Sequence, residues 1–338
     1  MYKTLDQWFM TPEEQKNIIS QKTIFYFDSE TMESKWLFKK PKGITYTTIV
    51  KWNKVPIMLC TNTPQDHKYE IPKDKVYNIK QISYFKSNLQ KCIRRQLNEK
   101  AVKTAYHMIK LDMSEMLRRL TVIVLEDVKF HTSYSTLVWL MAVMSTTKEV
   151  FKPTKNIIDW ILGVVNTLCE ISEYDDVAYE NDKNKYKDHI TDFNDYDLLY
   201  SLLLKCSYGG MYYDINMLNY FVGLWVERFK NGEQCNVMKI ELVDSNKVKP
   251  LTMDDWKLDG NNMTGIDFHC YPPFLEILSK EYNYTDKEIK KAIWNCSSGI
   301  NHRKSNEITE KDQEVWDKIK ERYYELQNGV FNKYLKGF

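Results

Sequence analysis

The spacing of hydrophobic residues divides this chain into two parts. Between residues 23 and 80, β-branched and aromatic residues form short runs at 23–27, 36–38 and 44–50, broken by proline and glycine. Such runs are typical of strands. From residue 83 onward, apolar residues recur every three or four positions, which predicts helices. The pattern therefore predicts a mainly α protein, a helical bundle, with a small β-rich N-terminal region.

The helical period resolves into separate elements. Leu89, Ile93 and Leu97 mark a first helix, residues 101–109 carry a second apolar stripe, and Ser114 is the predicted N-cap of a third helix. Thr285 and Glu288 have the spacing of a capping box. The further predicted helices are residues 136–144, 157–171, 198–206, 214–229, 273–280, 285–295 and 309–336.

Changes in texture along the chain predict four regions. Residues 1–20 are a terminal peptide with a short helix that starts at Thr11-Pro12. The β-rich region covers residues 21–80, and a helical domain covers residues 81–232. A loop-rich and helical region follows at residues 233–338. Residues 173–196 are highly polar and are predicted to be a surface loop or linker.

The terminal peptide carries the most specific pattern. Leu5, Trp8 and Phe9 stand at i, i+3 and i+4, so one helical turn places them on one face. The stretch resembles the PCNA-interacting peptide, or PIP box, whose pattern is Gln, two free positions, an aliphatic, two free positions and two aromatics. Tyr2 stands where that pattern has Gln. The resemblance implies that Tyr2, Leu5, Trp8 and Phe9 bind a PCNA-like sliding clamp. The alternative is that the aromatics pack onto the chain's own body.

A second resemblance lies in the helical block, at residues 89–94, 101–108, 116–120 and 124–128. Their order and spacing are similar to the C-terminal helical domain of the RarA/Mgs/Werner-interacting family of AAA+ proteins. In that family the domain forms an oligomerisation collar behind the ATPase, so the resemblance implies a collar-like bundle and self-association. An ordinary helical hairpin is the alternative.

The phosphate-binding motif of an ATPase is missing. A P-loop needs Gly-Lys-Ser/Thr after a glycine-rich turn, and none of the 11 glycines precedes a lysine. The sequence therefore predicts a chain without ATPase activity and without a cofactor.

Composition restricts the class of protein and the cellular compartment. With 338 residues, 43% hydrophobic and 14% aromatic, the chain can bury a large core. Its seven cysteines form no CxxC pair, which favours reduced thiols inside the cell, in the nucleus or at a cytoplasmic viral replication site. The apolar runs are too short for a membrane span, and the first residues do not match a signal-peptide pattern. Lysine greatly exceeds arginine, which suggests an AT-rich genome such as that of a large DNA virus.

A net charge of +2 is too small to indicate nucleic-acid binding by itself. Local basic patches are the candidates for DNA contact. They comprise Lys91, Arg94, Arg95, Arg118, Arg119, His302 and Arg303. A solvated helix face is the ordinary explanation of such residues, and Arg118 and Arg119 have Glu126 and Asp127 as alternative partners. The turn at residues 297–299 resembles an anion-binding loop in outline.

Two alternatives involve metals. Asp28 and Glu30 resemble the first motif of the DEDD exonucleases, in which an Asp-x-Glu pair binds two divalent ions. Residues 194–197 and the pair Tyr282 and Asp286 match the other motifs only by spacing. The candidate zinc ligands are His269, Cys270, Cys296 and His302. The close paired spacings of structural zinc sites are absent among them.

These observations favour a non-catalytic accessory factor of DNA replication or repair. It would be tethered to a sliding clamp and act by oligomerisation, DNA contact or recruitment of other proteins. A metal-dependent nuclease and a structural protein of a large DNA virus are the alternatives.

Overall fold

The computed structural model describes residues 22–52, 55–73, 81–146, 150–175, 196–210, 212–260, 262–305 and 308–335. It confirms a mainly α-helical chain with a small four-stranded sheet near the N-terminus. The predicted clamp-binding residues Tyr2, Leu5, Trp8 and Phe9 lie outside the described residues, as does the short helix predicted after them.

The sheet contains β1 (Ile24–Asp28), β2 (Glu33–Leu37), β3 (Tyr46–Trp52) and β4 (Val55–Thr61) in the order β2-β1-β4-β3. β1 and β4 are parallel, and each edge strand is antiparallel to its neighbour. The edge strands β2 and β3 consequently run in the same direction at opposite edges of the sheet. The chain must therefore cross the sheet between them, and residues 38–45 form this crossover connection.

Alternation along the strands gives the sheet an inner and an outer face. Phe25, Phe27, Trp36 and Trp52 point inward and are at most 3% exposed. Two later helices, α3 (Tyr134–Met144) and α5 (Tyr196–Ser207), cover this inner face. The Trp139 indole of α3 donates to the Phe25 carbonyl at 2.9 Å, and the Trp36 indole donates to Ser201 of α5 at 3.1 Å. The connection 38–45 brings Lys40 within electrostatic reach of Cys60, an outer-face residue of β4, which places this connection on the outer face.

The remaining helices agree closely with the predicted ones. Residues 134–143 of α3 are buried, as its all-apolar sequence predicts. The capping box at Thr285 and Glu288 is present at the start of α8, with both reciprocal hydrogen bonds. The other helices are α1 (Ile82–Arg94), α2 (Asn98–Asp127), α4 (Lys155–Glu170), α6 (Tyr212–Lys230), α7 (Pro272–Tyr282), α8 (Asp286–Ile293) and α9 (Glu310–Tyr334).

Two details of the predicted elements differ from the structure. The second and third predicted helices are both present within α2, separated by a kink at Asp112 (φ −160°, ψ 96°). The Asp112 carboxylate accepts a hydrogen bond from the Glu115 amide at 3.0 Å, so Asp112, rather than Ser114, caps the second half of α2. The predicted strand runs do not include β4, which contains Pro56. Pro56 precedes the part of β4 that pairs with β1, so no ladder bond to β1 is lost.

The described residues form two compact units. The first contains the described parts of Met1–Ile71, Leu117–Ile161 and Asp175–Leu242, and the second those of Pro72–Met116, Leu162–Tyr174 and Val243–Phe338. Each unit therefore draws on several separate stretches of chain. The four sequential regions predicted from texture follow the chain order, and that division stays a prediction.

Among the helices described, none combines the length and the apolar character that crossing a membrane requires.

Candidate functional site

The basic residues predicted on α1 are internal. Lys91, Arg94 and Arg95 are 1%, 5% and 2% exposed, and they lie in the second unit with Arg303. We call Lys91, Arg94, Arg95 and Arg303 the cation cluster. A cation this deeply buried needs oxygen partners to replace water, and each member has them.

Lys91 has one partner for each of its three ammonium hydrogens. Its Nζ donates to the carbonyls of Thr264 and Ile266, both at 3.0 Å, and to the Ser298 hydroxyl at 3.3 Å. Burial lowers the pKa of Lys91 to about 8, and the nearby Asp267 carboxylate opposes that shift. The side chain therefore still carries its charge at neutral pH.

Arg94, the last residue of α1, and Arg95, its C-cap, bind a short π-helix, Trp294–Ser298. Arg95 makes a bidentate pair with Asp259, at 2.8 and 3.0 Å, and also donates to the Ser297 carbonyl at 2.7 Å. Arg94 donates to the Ser298 carbonyl at 3.2 Å, and its guanidinium lies 5.2 Å from the centre of the Trp294 ring. Both charges are therefore engaged by groups of the protein.

Arg303 connects the C-terminal ends of two helices. Its Nη1 donates to the Ile93 carbonyl of α1 at 2.8 Å, its Nε donates to the Ile171 carbonyl just after α4 at 2.8 Å, and its Nη2 donates to the Leu168 carbonyl. The last carbonyls of a helix have no partner within the helix and carry its negative dipole end. One guanidinium therefore satisfies acceptors from both helix ends. The neighbouring His302 is exposed.

The predicted anion-binding turn has the opposite polarity. Its carbonyls point at the arginines, and the Gly299 amide donates to the Trp294 carbonyl at 2.7 Å instead of facing an anion. A Cβ on Gly299 would lie 2.6 Å from the Trp294 ring, so only glycine fits this close approach. The turn packs the cation cluster and presents no described surface for a phosphate.

Asp267 and His269 form a second polar feature of this unit. The His269 Nδ1 lies 2.7 Å from the Asp267 carboxylate, and the His269 ring centre is 4.9 Å from that of Trp294. Burial alone would raise the pKa of Asp267, but the hydrogen bond from His269 and the charge of Lys91 hold it well below its usual range. A carboxylate that is hydrogen-bonded to a histidine fixes the orientation of the imidazole ring. This arrangement is compatible with a structural role and with proton transfer.

The predicted arginine pair on α2 also has partners within the first unit. Arg118 donates to the Tyr208 carbonyl at 3.0 Å. Arg119 lies 3.6 Å from the Asp214 carboxylate and 4.0 Å from that of Glu126, the acid proposed as its structural partner. These contacts, like those of the cation cluster, give no support to the predicted DNA contact.

Asp28 closes a turn at the end of β1. Its carboxylate accepts from the Glu30 amide at 2.9 Å and from the Asn62 side chain at 3.1 Å. Burial would raise the pKa of Asp28, but these hydrogen bonds lower it below its usual range. Glu30 is exposed. In the ranges that the structure describes, no three side chains of His, Cys, Asp or Glu converge as metal ligands would, which applies to the nuclease and zinc alternatives alike.

One feature that sequence reasoning missed is the crossover between β2 and β3. Residues 36–38 were interpreted as a strand, yet β2 ends at Leu37, and Phe38 is 63% exposed. Lys39, Lys40 and Lys42 follow it and are exposed as well. The available signal was an aromatic residue followed by three lysines with no acid nearby in sequence.

Comparison with known proteins gives no relative from which to transfer a role: no protein-family model, no curated protein and no solved structure matches this chain.

Proposed function

We propose that this chain is a non-catalytic accessory factor of DNA replication or repair, tethered to a PCNA-like sliding clamp through Leu5, Trp8 and Phe9. The observation that carries the proposal is the spacing of these three side chains at the N-terminus. Aromatic anchors of this kind dominate the energy of many interfaces. Tyr2 would occupy the position that is Gln in the PIP-box pattern.

The helical body would recruit or oligomerise. Two findings support this part of the proposal: the segments that resemble the RarA/Mgs/Werner-interacting family fall on α1 and α2, and α1 buries Leu89 and Ile93 as a packed helix must. A collar-like bundle is the arrangement that we propose for these helices. The structure describes all seven cysteines, and none of them forms a disulfide, which supports a reducing compartment such as the nucleus or a viral replication site.

Binding of the terminal peptide to the sliding clamp of the same source tests the tether. A labelled peptide of residues 1–17 should bind with a Kd near 1 µM, about −8 kcal/mol. Trp8→Ala with Phe9→Ala should weaken binding at least about 100-fold, because anchors of this type each contribute about 2 kcal/mol or more. Tyr2→Gln should strengthen binding by restoring the PIP-box residue.

Gln7→Ala is the matched control, since it changes a free position of the pattern beside both aromatics. The same variants in the full chain give the second measurement. Equal clamp binding by the wild-type chain and the Trp8→Ala, Phe9→Ala chain would overturn the tether, and so would no binding by either peptide or chain.

A further inference from the structure

We propose that the outer face of the sheet in the first unit binds single-stranded nucleic acid, through the segment of residues 38–43, which we call the Phe38 loop. Phe38 would stack on a base, and Lys39, Lys40 and Lys42 would contact phosphates. This site is separate from the predicted basic residues on α1 and α2, and it does not depend on the clamp tether.

The first observation is the exposure of Phe38. Every other phenylalanine and tryptophan in the described parts of the chain is buried or half-buried, whereas Phe38 is 63% exposed. The Lys22 ammonium lies 5.8 Å from the Phe38 ring centre and is itself paired with Asp197 at 2.7 Å. An exposed aromatic ring next to basic side chains is the element that stacks on unpaired bases.

The second observation is unbalanced charge. Lys39, Lys40 and Lys42 are exposed, and none has a carboxylate partner among the residues that the structure describes. The same holds for Lys51 at the end of β3. Phe38 and Lys51 lie at one end of the sheet. Asp28 and Glu33 lie at the other end, where the loop enters β3, because Phe27 and Tyr46 both pair with Thr61. The Asp28 carboxylate is engaged by the Glu30 amide and the Asn62 side chain. Uncompensated lysines around an aromatic ring complement a phosphate backbone and its bases.

The third observation is the path of the loop. It leaves the C-terminal end of one edge strand and enters the N-terminal end of the other, so it crosses the outer face diagonally. Gly43 has φ +74°, a left-handed conformation that glycine adopts freely, and this turn leads into β3. Lys40 comes within electrostatic reach of Cys60, an outer-face residue of β4. The loop therefore brings Lys40 close to β4, an inner strand of the sheet.

Anisotropy of a fluorescent oligothymidine of about 12 nucleotides, within the usual site size of such proteins, tests the proposal on the full chain. We expect binding that weakens as salt rises. Phe38→Ala should reduce affinity at least about tenfold, and Phe38→Trp should retain it. Changing Lys39, Lys40 and Lys42 together to Ala should lower the slope of log K against log salt by about 2, from about 0.7 per phosphate contact.

The matched control removes the same charge from the second unit, with Lys247, Lys249 and Lys287 changed together to Ala. All three are exposed, and this variant should bind like the wild type. Equal losses in the two triple variants would reduce the site to nonspecific attraction and overturn the proposal. So would unchanged affinity in Phe38→Ala, or binding to phosphatidylserine vesicles without binding to the oligonucleotide. Because clamp binding is measured separately, either proposal can fail while the other stands.

Discussion

At the scale of single residues, His131 stands out because its ring is buried without a polar contact. The residue is 1% exposed, and neither ring nitrogen has a hydrogen-bond partner within the described part of the chain. Its position is fixed by the main chain, since the next amide, that of Thr132, donates to the Asn236 carbonyl at 2.9 Å. Burial alone lowers the pKa of His131 to about 3. The folded protein therefore keeps this imidazole neutral.

This burial predicts sensitivity to acid. Below about pH 6.5 the unfolded chain protonates His131 and the folded chain does not, so stability falls as pH falls, by about 1.4 kcal/mol per unit. Between pH 6.5 and pH 5 the loss from this residue should be about 2 kcal/mol. Denaturant unfolding of His131→Phe across that range should lack this part of the slope. The exposed His302→Ala serves as control and should keep it. An identical slope in His131→Phe would contradict the assignment.

At the scale of elements, the contacts of Arg303 predict that this residue stabilises the fold, although the sequence made it a candidate for DNA contact. Arg303→Ala would remove a donor from the Ile93, Ile171 and Leu168 carbonyls, of which the first two also accept hydrogen bonds from Gln96. Removing the partner of a buried polar group costs about 1–3 kcal/mol, so unfolding free energy should fall by about that amount. Thermal and denaturant unfolding measure it. The neighbouring Lys304→Ala removes an equal charge at an exposed position and should cost little. Wild-type stability in Arg303→Ala, combined with lost DNA binding, would restore the original prediction.

The elements also show what a sequence can and cannot predict here. A continuous apolar run located α3, and the capping box located α8, because both signals are local. Such local signals do not say which polar side chains turn inward. Lys91 is buried because its acceptors are carbonyls at Thr264 and Ile266, more than 170 residues away in sequence. Phe38 was missed for a similar reason: an aromatic after a strand run has the same local pattern whether it packs or projects.

At the scale of the whole molecule, the sheet depends on distant chain. Its inner aromatics are covered by α3 and α5, which follow more than 70 residues after the last strand. A fragment of residues 1–80, the first two predicted regions, would expose Phe25, Phe27 and Trp36 to water. Fully burying each such side chain is worth about 1.5–3 kcal/mol. We expect this fragment to show the poorly dispersed amide NMR spectrum of an unfolded chain, with the full chain as control. A dispersed spectrum would show that the sheet folds alone.

The reactivity of the Cys60 thiol is a probe of how often the Phe38 loop moves. The thiol is on the outer face of β4, yet it is fully buried, and burial raises its pKa to about 11 against the opposing charge of Lys40. A thiol reacts as the thiolate and only where a reagent can reach it. Because Lys40 of the Phe38 loop lies near Cys60, we expect Cys60 to become reactive when this loop moves away from the outer face. The alkylation rate of the Cys60 sulfur therefore measures how often the outer face of the sheet becomes accessible to a reagent.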